Sequence, residues 1–393
     1  MVMLLEDLHW FDGGSEAFLE PLLDATAGTR GLIIVNFRPE YHASWMGKSY
    51  YQQLALVPLG AEAIRQLLDA LLGADPSIAG LAEAIHARTA GNPFFTEEVV
   101  RSLIESGKLH GSTGAYRLVT SIDTLEVPAS VHALLAARID RLGERDKRVL
   151  QTAAVIGREF DEPTLAAVAE LPAPQLREAL QTLKSAEFVY EQALYPVAEY
   201  LFKHPLTHEV ALASQLHERR KRLHAAVARV LEAAHADHLD EQAALLAHHW
   251  EAAGEPVPAA RWHRRAAEWV GVRDLAEAVR HWQKVRQVAR DSADSVELVS
   301  LGAVACARVL SMGWRIGLSE ADEAEVFAEG KRWAQQVADV DTEAWLESSY
   351  AAVRCLAGDN AGALEHMVEF ERLATQRLSR NPCGTSTAVA EQD

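Results

Sequence analysis

The amino-acid sequence predicts a short α/β segment followed by a long, mostly α-helical region. Three observations carry this. Two apolar runs, Met1–Leu5 and Leu32–Phe37, flank a stretch of helical periodicity. From Ala61 to about Ser106, apolar residues recur at spacings of three and four. From Leu216 to about Gln376 the chain is rich in Ala, Leu, Arg and Glu, broken only by turn signals.

Met1–Leu5 is continuously apolar, the pattern of a parallel strand covered on both faces. Ser15–Ala25 forms a helix with Phe18, Leu19, Leu22 and Leu23 on one face, and Pro21 inside it marks a kink or a later start. Leu32–Phe37 supplies a second strand, making a βαβ unit, and Leu54–Val57 is a candidate third strand. Ile64, Leu67, Leu68, Leu71 and Leu72 share a helix face that ends at Gly73 and Pro76. Leu81, Ile85 and Phe94–Ile104 carry further helices, interrupted at Gly91-Asn92-Pro93. His110–Gly114 reads as a turn, and Pro128 as the start of a helix that aligns Val131, Leu134, Leu135, Ile139 and Leu142.

Residues 144–203 alternate short helices with strand-like runs at Phe188–Glu191 and Tyr200–Phe202, the order of a winged-helix module. Beyond Leu216, turns at Gly254-Glu255-Pro256, Gly313 and Gly358-Asp359-Asn360 separate helices of roughly 12–18 residues, as in stacked tetratricopeptide-like hairpins. Ser379–Asp393 is small and polar and is expected to be disordered.

Composition narrows the function classes. The 393 residues carry a net charge of −18 and are 49% hydrophobic. That balance disfavours general binding to nucleic acid or to an anionic membrane surface, and no direct DNA contact is expected. Cys306, Cys355 and Cys383 show no CxxC spacing, which excludes a disulfide framework and fits a reducing cytoplasm. Cys306 and Cys355 read as small core residues. Apolar runs such as Gly31–Val35 are too short to span a bilayer, and Met1–Leu5 lacks the basic flank of a signal peptide.

Glu6 and Asp7 end an apolar strand. In an open α/β sheet, ligands sit beyond the carboxyl ends of strands, and two acids there can hold Mg²⁺ through its waters. The extended segment Glu6-Asp7-Leu8-His9-Trp10-Phe11-Asp12 resembles the "EDLHWaD" Walker B motif of STAND/AAA+ signalling ATPase modules, of the type fused to class III adenylate/guanylate cyclases and found in related transcriptional regulators. Further segments resemble that family in the same order: Phe37-Arg38-Pro39-Glu40, Gly91-Asn92-Pro93-Phe94-Phe95 with Glu97-Glu98-Val99-Val100, and Val127-Pro128-Ala129-Ser130 through Arg138-Ile139-Asp140-Arg141-Leu142. Ala153–Phe160 and Phe202–Ala211 complete the series, and the resemblance spans roughly residues 1–370.

The resemblance implies that Glu6 takes the Mg²⁺-side position, Asp7 orients the attacking water and Arg38 senses the γ-phosphate. The Glu-Asp order departs from the commoner Asp-Asp or Asp-Glu, which leaves the division of labour open. It also implies that Gly91, Asn92 and Pro93 lie near the adenine; by residue type they form a helix-breaking turn. Family members carry a Gly-x-x-x-x-Gly-Lys-Ser/Thr loop upstream of Walker B. The chain is therefore expected to be the C-terminal portion of such a module, with ATP and Mg²⁺ as the parent's cofactors and no turnover of its own. Gly47-Lys48-Ser49 lacks the first glycine and follows Walker B, so it is a coincidence. His204, His208, His248 and His249 lack an HExxH pattern and read as packing or surface histidines. The run His217-Glu218-Arg219-Arg220-Lys221-Arg222 reads as a solvated face pairing with acidic neighbours.

The expected organisation is a truncated P-loop ATPase core over 1–60, a helical lid over 61–143, a winged-helix-like module over 144–214, a repeat array over 215–378 and a tail over 379–393. Two functions follow as alternatives. One is a nucleotide-switched signalling module, with a protein partner on the helical array and a cyclase or transcriptional output elsewhere. The other is a non-enzymatic scaffold with an inert ATPase remnant.

Overall fold

A computed structural model describes residues 1–11, 13–120, 122, 128–193, 197–292 and 295–380. The chain divides into two compact units, Met1–Glu97 with Lys108–Thr124, and Glu98–Gly107 with Leu125–Asp393. The expected tail lies outside the described residues from 381 onward.

In the first unit, β1 (Val2–Leu5) and β2 (Leu32–Val35) pair in parallel, Val2 opposite Leu32 and Leu5 opposite Val35. Helix α1 (Gly13–Thr26) connects them, with Pro21 in its interior. Leu8, Leu19 and Trp45 form the buried centre, with Leu5, Val35, Phe37 and Tyr41 packed around it. The expectation of strands covered on both faces fails. Val2, Leu4, Leu32 and Ile34 are exposed, because period-two alternation sends them to the face opposite this cluster. Leu54–Val57 is not a strand; it makes no ladder with another segment among the described residues, and Leu56 is 90% exposed.

Helices α2 (Ala61–Leu72) and α3 (Leu81–Thr89) bury Ile64, Leu68, Leu72, Leu81 and Ile85. Gly73 stops α2 with a positive φ of 90°. Hairpin β3 (Leu109–His110) and β4 (Arg117–Leu118) closes over that end: the Gly114 and Tyr116 N–H groups donate to the Leu71 and Leu72 carbonyls at 2.9 and 2.8 Å. Orphan carbonyls of the last helical turn are thereby satisfied. The predicted turn at 110–114 is the tip of this hairpin. Helix α4 (Pro93–Glu105) follows α3.

In the second unit, α5 (Val131–Asp140) starts at Val131 rather than at Pro128, because the Ser130 hydroxyl caps it, accepting from the Ala133 N–H at 3.2 Å. Helices α6 (Glu144–Ile156), α7 (Glu162–Ala169) and α8 (Ala173–Ser185) pack with a three-stranded antiparallel sheet. Its order is β5 (Glu159–Asp161), β7 (Glu199–Phe202), β6 (Val189–Ala193). Sequence reading found the last two strands and missed the three-residue β5, which is pinned by Phe160 stacked on Tyr200 at 5.7 Å.

After α9 (Pro205–Ala213), eight helices form a repeat-like array: α10 (His217–Ala234), α11 (Ala243–Ala253), α12 (Pro256–Val270), α13 (Leu275–Asp291), α14 (Val296–Gly313), α15 (Glu320–Gln336), α16 (Val340–Leu356) and α17 (Asn360–Arg380). Each packs on the next, and α14 also touches α12 and α16, as stacked hairpins do. Gly330 on α15 permits this approach; a Cβ there would meet Cys306 on α14 and Leu346 on α16. Among the described residues one helix, Val296–Ile316, is long and apolar enough to cross a membrane by length and composition, unlike runs such as Gly31–Val35, and 61% of its most apolar window is buried. Cys306 belongs to the array core, where burial pushes its thiol up to about 12, whereas Cys355 is exposed, against expectation.

Candidate functional site

The predicted acidic residues lie where β1 ends. The chain turns sharply there, and Asp7 adopts a left-handed backbone with φ of 56°. Asn36, just past β2, holds the turn: its side-chain oxygen accepts from the Asp7 N–H at 2.6 Å and its amide donates to Glu6 Oε1 at 3.5 Å. The Leu8 N–H donates to the Asn36 carbonyl at 3.0 Å. Glu6 is exposed and Asp7 half-buried, so both carboxylates border solvent at the carboxyl end of a parallel pair. Arg38 leaves the same end from β2 and lays its guanidinium 5.6 Å from the centre of the Trp10 ring. The structure thus brings Glu6, Asp7 and Arg38 to one sheet end. Asp12, the last motif residue, lies outside the described residues. Sequence reading missed Asn36, the side chain that fixes both acids.

Gly91, Asn92 and Pro93 are engaged in local architecture. The Gly91 carbonyl accepts from the Leu59 N–H at 2.8 Å. Asn92 caps α4, its side-chain oxygen accepting from the Phe95 N–H at 2.9 Å, and Pro93 opens the helix. The Thr96 hydroxyl donates to the Asn92 carbonyl at 2.9 Å. Gly91 has a φ of 76°, and a Cβ there would collide with the Leu59 carbonyl. Gly91→Ala is therefore expected to destabilise the first unit by about 2 kcal/mol. Chemical denaturation monitored by Trp45 fluorescence checks this; an unchanged midpoint would show that the turn relaxes freely.

The remaining sequence candidates have other occupations. Lys48 pairs with Asp24 at 2.8 Å and with Glu20 at 3.4 Å, which draws the Asp24 carboxyl below its usual range. His204 caps α9 through Nδ1, accepting from the Leu206 N–H at 3.1 Å, and His208 Nε2 lies 2.9 Å from the Ala154 carbonyl. His249 is buried against His224, Nδ1 to Nδ1, at 3.0 Å. Among the described residues no group of three or more His, Cys, Asp or Glu side chains is placed to hold a metal ion directly.

A profile for a domain of unknown function (DUF8739) matches residues 60–107, which covers α2, α3 and α4. An uncharacterized protein of Rhizobium meliloti (strain 1021) is 27% identical over 229 residues, 57% of this chain. The chain spans only about a fifth of that relative, 21% of its length. Among solved structures, the chain resembles a Signal Transduction ATPase with Numerous Domains (STAND) protein with a tetratricopeptide repeat sensor from Pyrococcus horikoshii. That likeness has a TM-score of 0.42 and 10% identity, over 96% of this chain and 62% of the other.

Proposed function

We propose that this chain belongs to a nucleotide-switched signalling ATPase of the STAND kind. The observation that carries the reading is the placement of Glu6, Asp7 and Arg38 together at the carboxyl end of parallel β1 and β2, where α/β sheets bind ligands. Two solvent-bordering carboxylates on a turn held by Asn36 suit a hydrated Mg²⁺, which keeps most of its waters. The bound ion would supply charge neutralisation to nucleotide phosphates. Glu6 and Asp7 would hold its waters, and Arg38, braced on Trp10, would reach a terminal phosphate. The α6–α8 and β5–β7 module would act as a winged-helix lid, and α10–α17 would receive a protein partner that passes the signal to a cyclase or transcriptional output domain.

Calorimetric titration with Mg²⁺-ATP tests this. Weak, Mg²⁺-dependent binding is expected, with phosphate release at background. Asp7→Asn should weaken binding by about tenfold, or ~1.4 kcal/mol. Binding indifferent to both Mg²⁺ and the substitution, or none at all, would remove the nucleotide reading. That outcome would leave the second reading, a protein-interaction scaffold. One observation favours it: Gly91 and Asn92 are fully explained by the turn and cap they build.

A further inference from the structure

The basic start of α10 departs from the expected pattern of pairing with acidic neighbours. Lys221 does pair with Glu218 at 3.4 Å. Arg219 instead donates to the amide oxygen of Gln151 at 3.0 Å. On α6, Arg145 pairs with Asp146 and Glu178, and Lys147 with Asp140. Arg148, beside them in sequence, makes no ion pair or side-chain hydrogen bond among the described residues. Neither Arg148 nor Arg219 therefore has a carboxylate partner among the described residues, in a chain of net charge −18.

Both arginines line one cavity of about 510 Å³, whose apolar walls include Val168, Leu171 and Leu223. Glu170 is the one carboxylate in the lining, exposed at the end of α7, and it pairs with neither arginine among the described residues. Burial, together with repulsion from Arg148 and Arg222, lowers the affinity of Arg219 for its proton, while Glu144 offsets part of this. Like charges held together in this way are electrostatically unfavourable until an anion arrives.

We propose that this cavity is a binding site for a small organic anion, its phosphate or carboxylate group held between Arg148 and Arg219 and its apolar body resting on Val168, Leu171 and Leu223. Guanidinium groups with free N–H edges match planar or tetrahedral oxyanions. The volume lies within the range of small-molecule sites. The walls come from α6, α7 and α10, so an occupant would bridge the α6–α8 module and the first helix of the array. The site is independent of Glu6, Asp7 and Arg38 and stands whether or not they bind nucleotide.

Phenyl phosphate and phenylacetate serve as the two probes, separating the phosphate from the carboxylate source, with benzyl alcohol as the uncharged control. Thermal melting and calorimetry at low salt should show saturable stabilisation by at least one anion and none by the alcohol. Arg148→Gln and Arg219→Gln should each weaken that binding by about tenfold. Arg148→Gln, at an exposed position, should also raise the melting temperature of the ligand-free protein by relieving repulsion. Absence of saturable binding by either anion, or equal binding by wild type and both variants, would overturn the proposal.

Discussion

Arg138→Met is expected to lower the stability of the second unit by about 3–5 kcal/mol, the typical result of stripping one partner from a buried ion pair. Arg138 is only 2% exposed. Its guanidinium pairs with Glu98 and donates to Glu105 through Nε at 3.0 Å and to the Ala186 carbonyl through Nη2 at 2.8 Å. The Phe188 ring lies 4.7 Å away, adding a cation–π contact. Burial alone would favour losing the proton, but Glu105 and Glu98 together raise the guanidinium above its ordinary value. Removing the arginine leaves Glu98, itself 4% exposed, with only the longer contact to Arg101 at 3.8 Å. The paired variant Arg138→Met with Glu98→Gln should recover much of the loss, since the buried charge disappears with its partner. Urea unfolding followed by circular dichroism checks both. Equal midpoints for wild type and Arg138→Met would mean that water reaches Glu98, and that the cluster holds nothing together.

This residue also shows how far sequence reading carried. Arg138 was visible as part of a motif resembling "aRiDrL", yet its role was not. Its partners lie 33, 40 and 48 positions away, on α4 and just after α8. Local signals were read well: the runs at Met1–Leu5 and Leu32–Phe37 became a parallel pair, and Gly73 and Gly358 ended helices. Other local signals were present and passed over. Asp274, Ser295, Ser319 and Asp339 each cap a helix of the array, Asp274 accepting from the Glu277 N–H at 3.0 Å. They delimit units that glycines and prolines alone did not. At the candidate site, the acids were legible from the rule that ligands gather at strand ends, whereas Arg38 was indicated only by the family resemblance. Asn36 was not, because its contact with Asp7 is made across a parallel register that only the folded chain defines. Short β5 and the exposed course of Leu54–Val57 depend likewise on tertiary partners, present for one and absent for the other.

The same dependence on distant partners produces the second large effect. Stability is expected to fall by about 5 kcal/mol between pH 6.5 and 4.5. Two buried imidazole pairs sit in the array, His224 with His249 at 3.0 Å and His263 with His281 at 2.9 Å, each Nδ1 to Nδ1. One ring must donate and the other accept, so each pair is built for the neutral form. Around the first pair stand His248 and Arg220, and burial with these groups lowers His224 to about 4 and His249 to about 3. Around the second stand Glu251, Glu277, Arg280 and Lys284. Burial again dominates there, lowering His263 despite Glu251 and bringing His281 to about 4. Unfolded imidazoles take up protons near pH 6.5. Below that pH the unfolded chain therefore binds more protons than the folded one, and stability declines as pH falls until the folded pairs themselves protonate. With at least one proton refused per pair, the slope reaches at least about 2.7 kcal/mol per pH unit once the pH is well below 6.5. Carboxylates act in a lower window: Glu187, held at about 2 chiefly by Arg101, loses its contribution only as pH falls below the ordinary glutamate value toward that figure. The double variant His224→Leu with His249→Leu should flatten the slope by about half and gain on the wild type at pH 5. Urea midpoints measured from pH 7.5 to 5 decide the matter, and a wild-type midpoint constant over that range would show that the pairs protonate without opposing the fold.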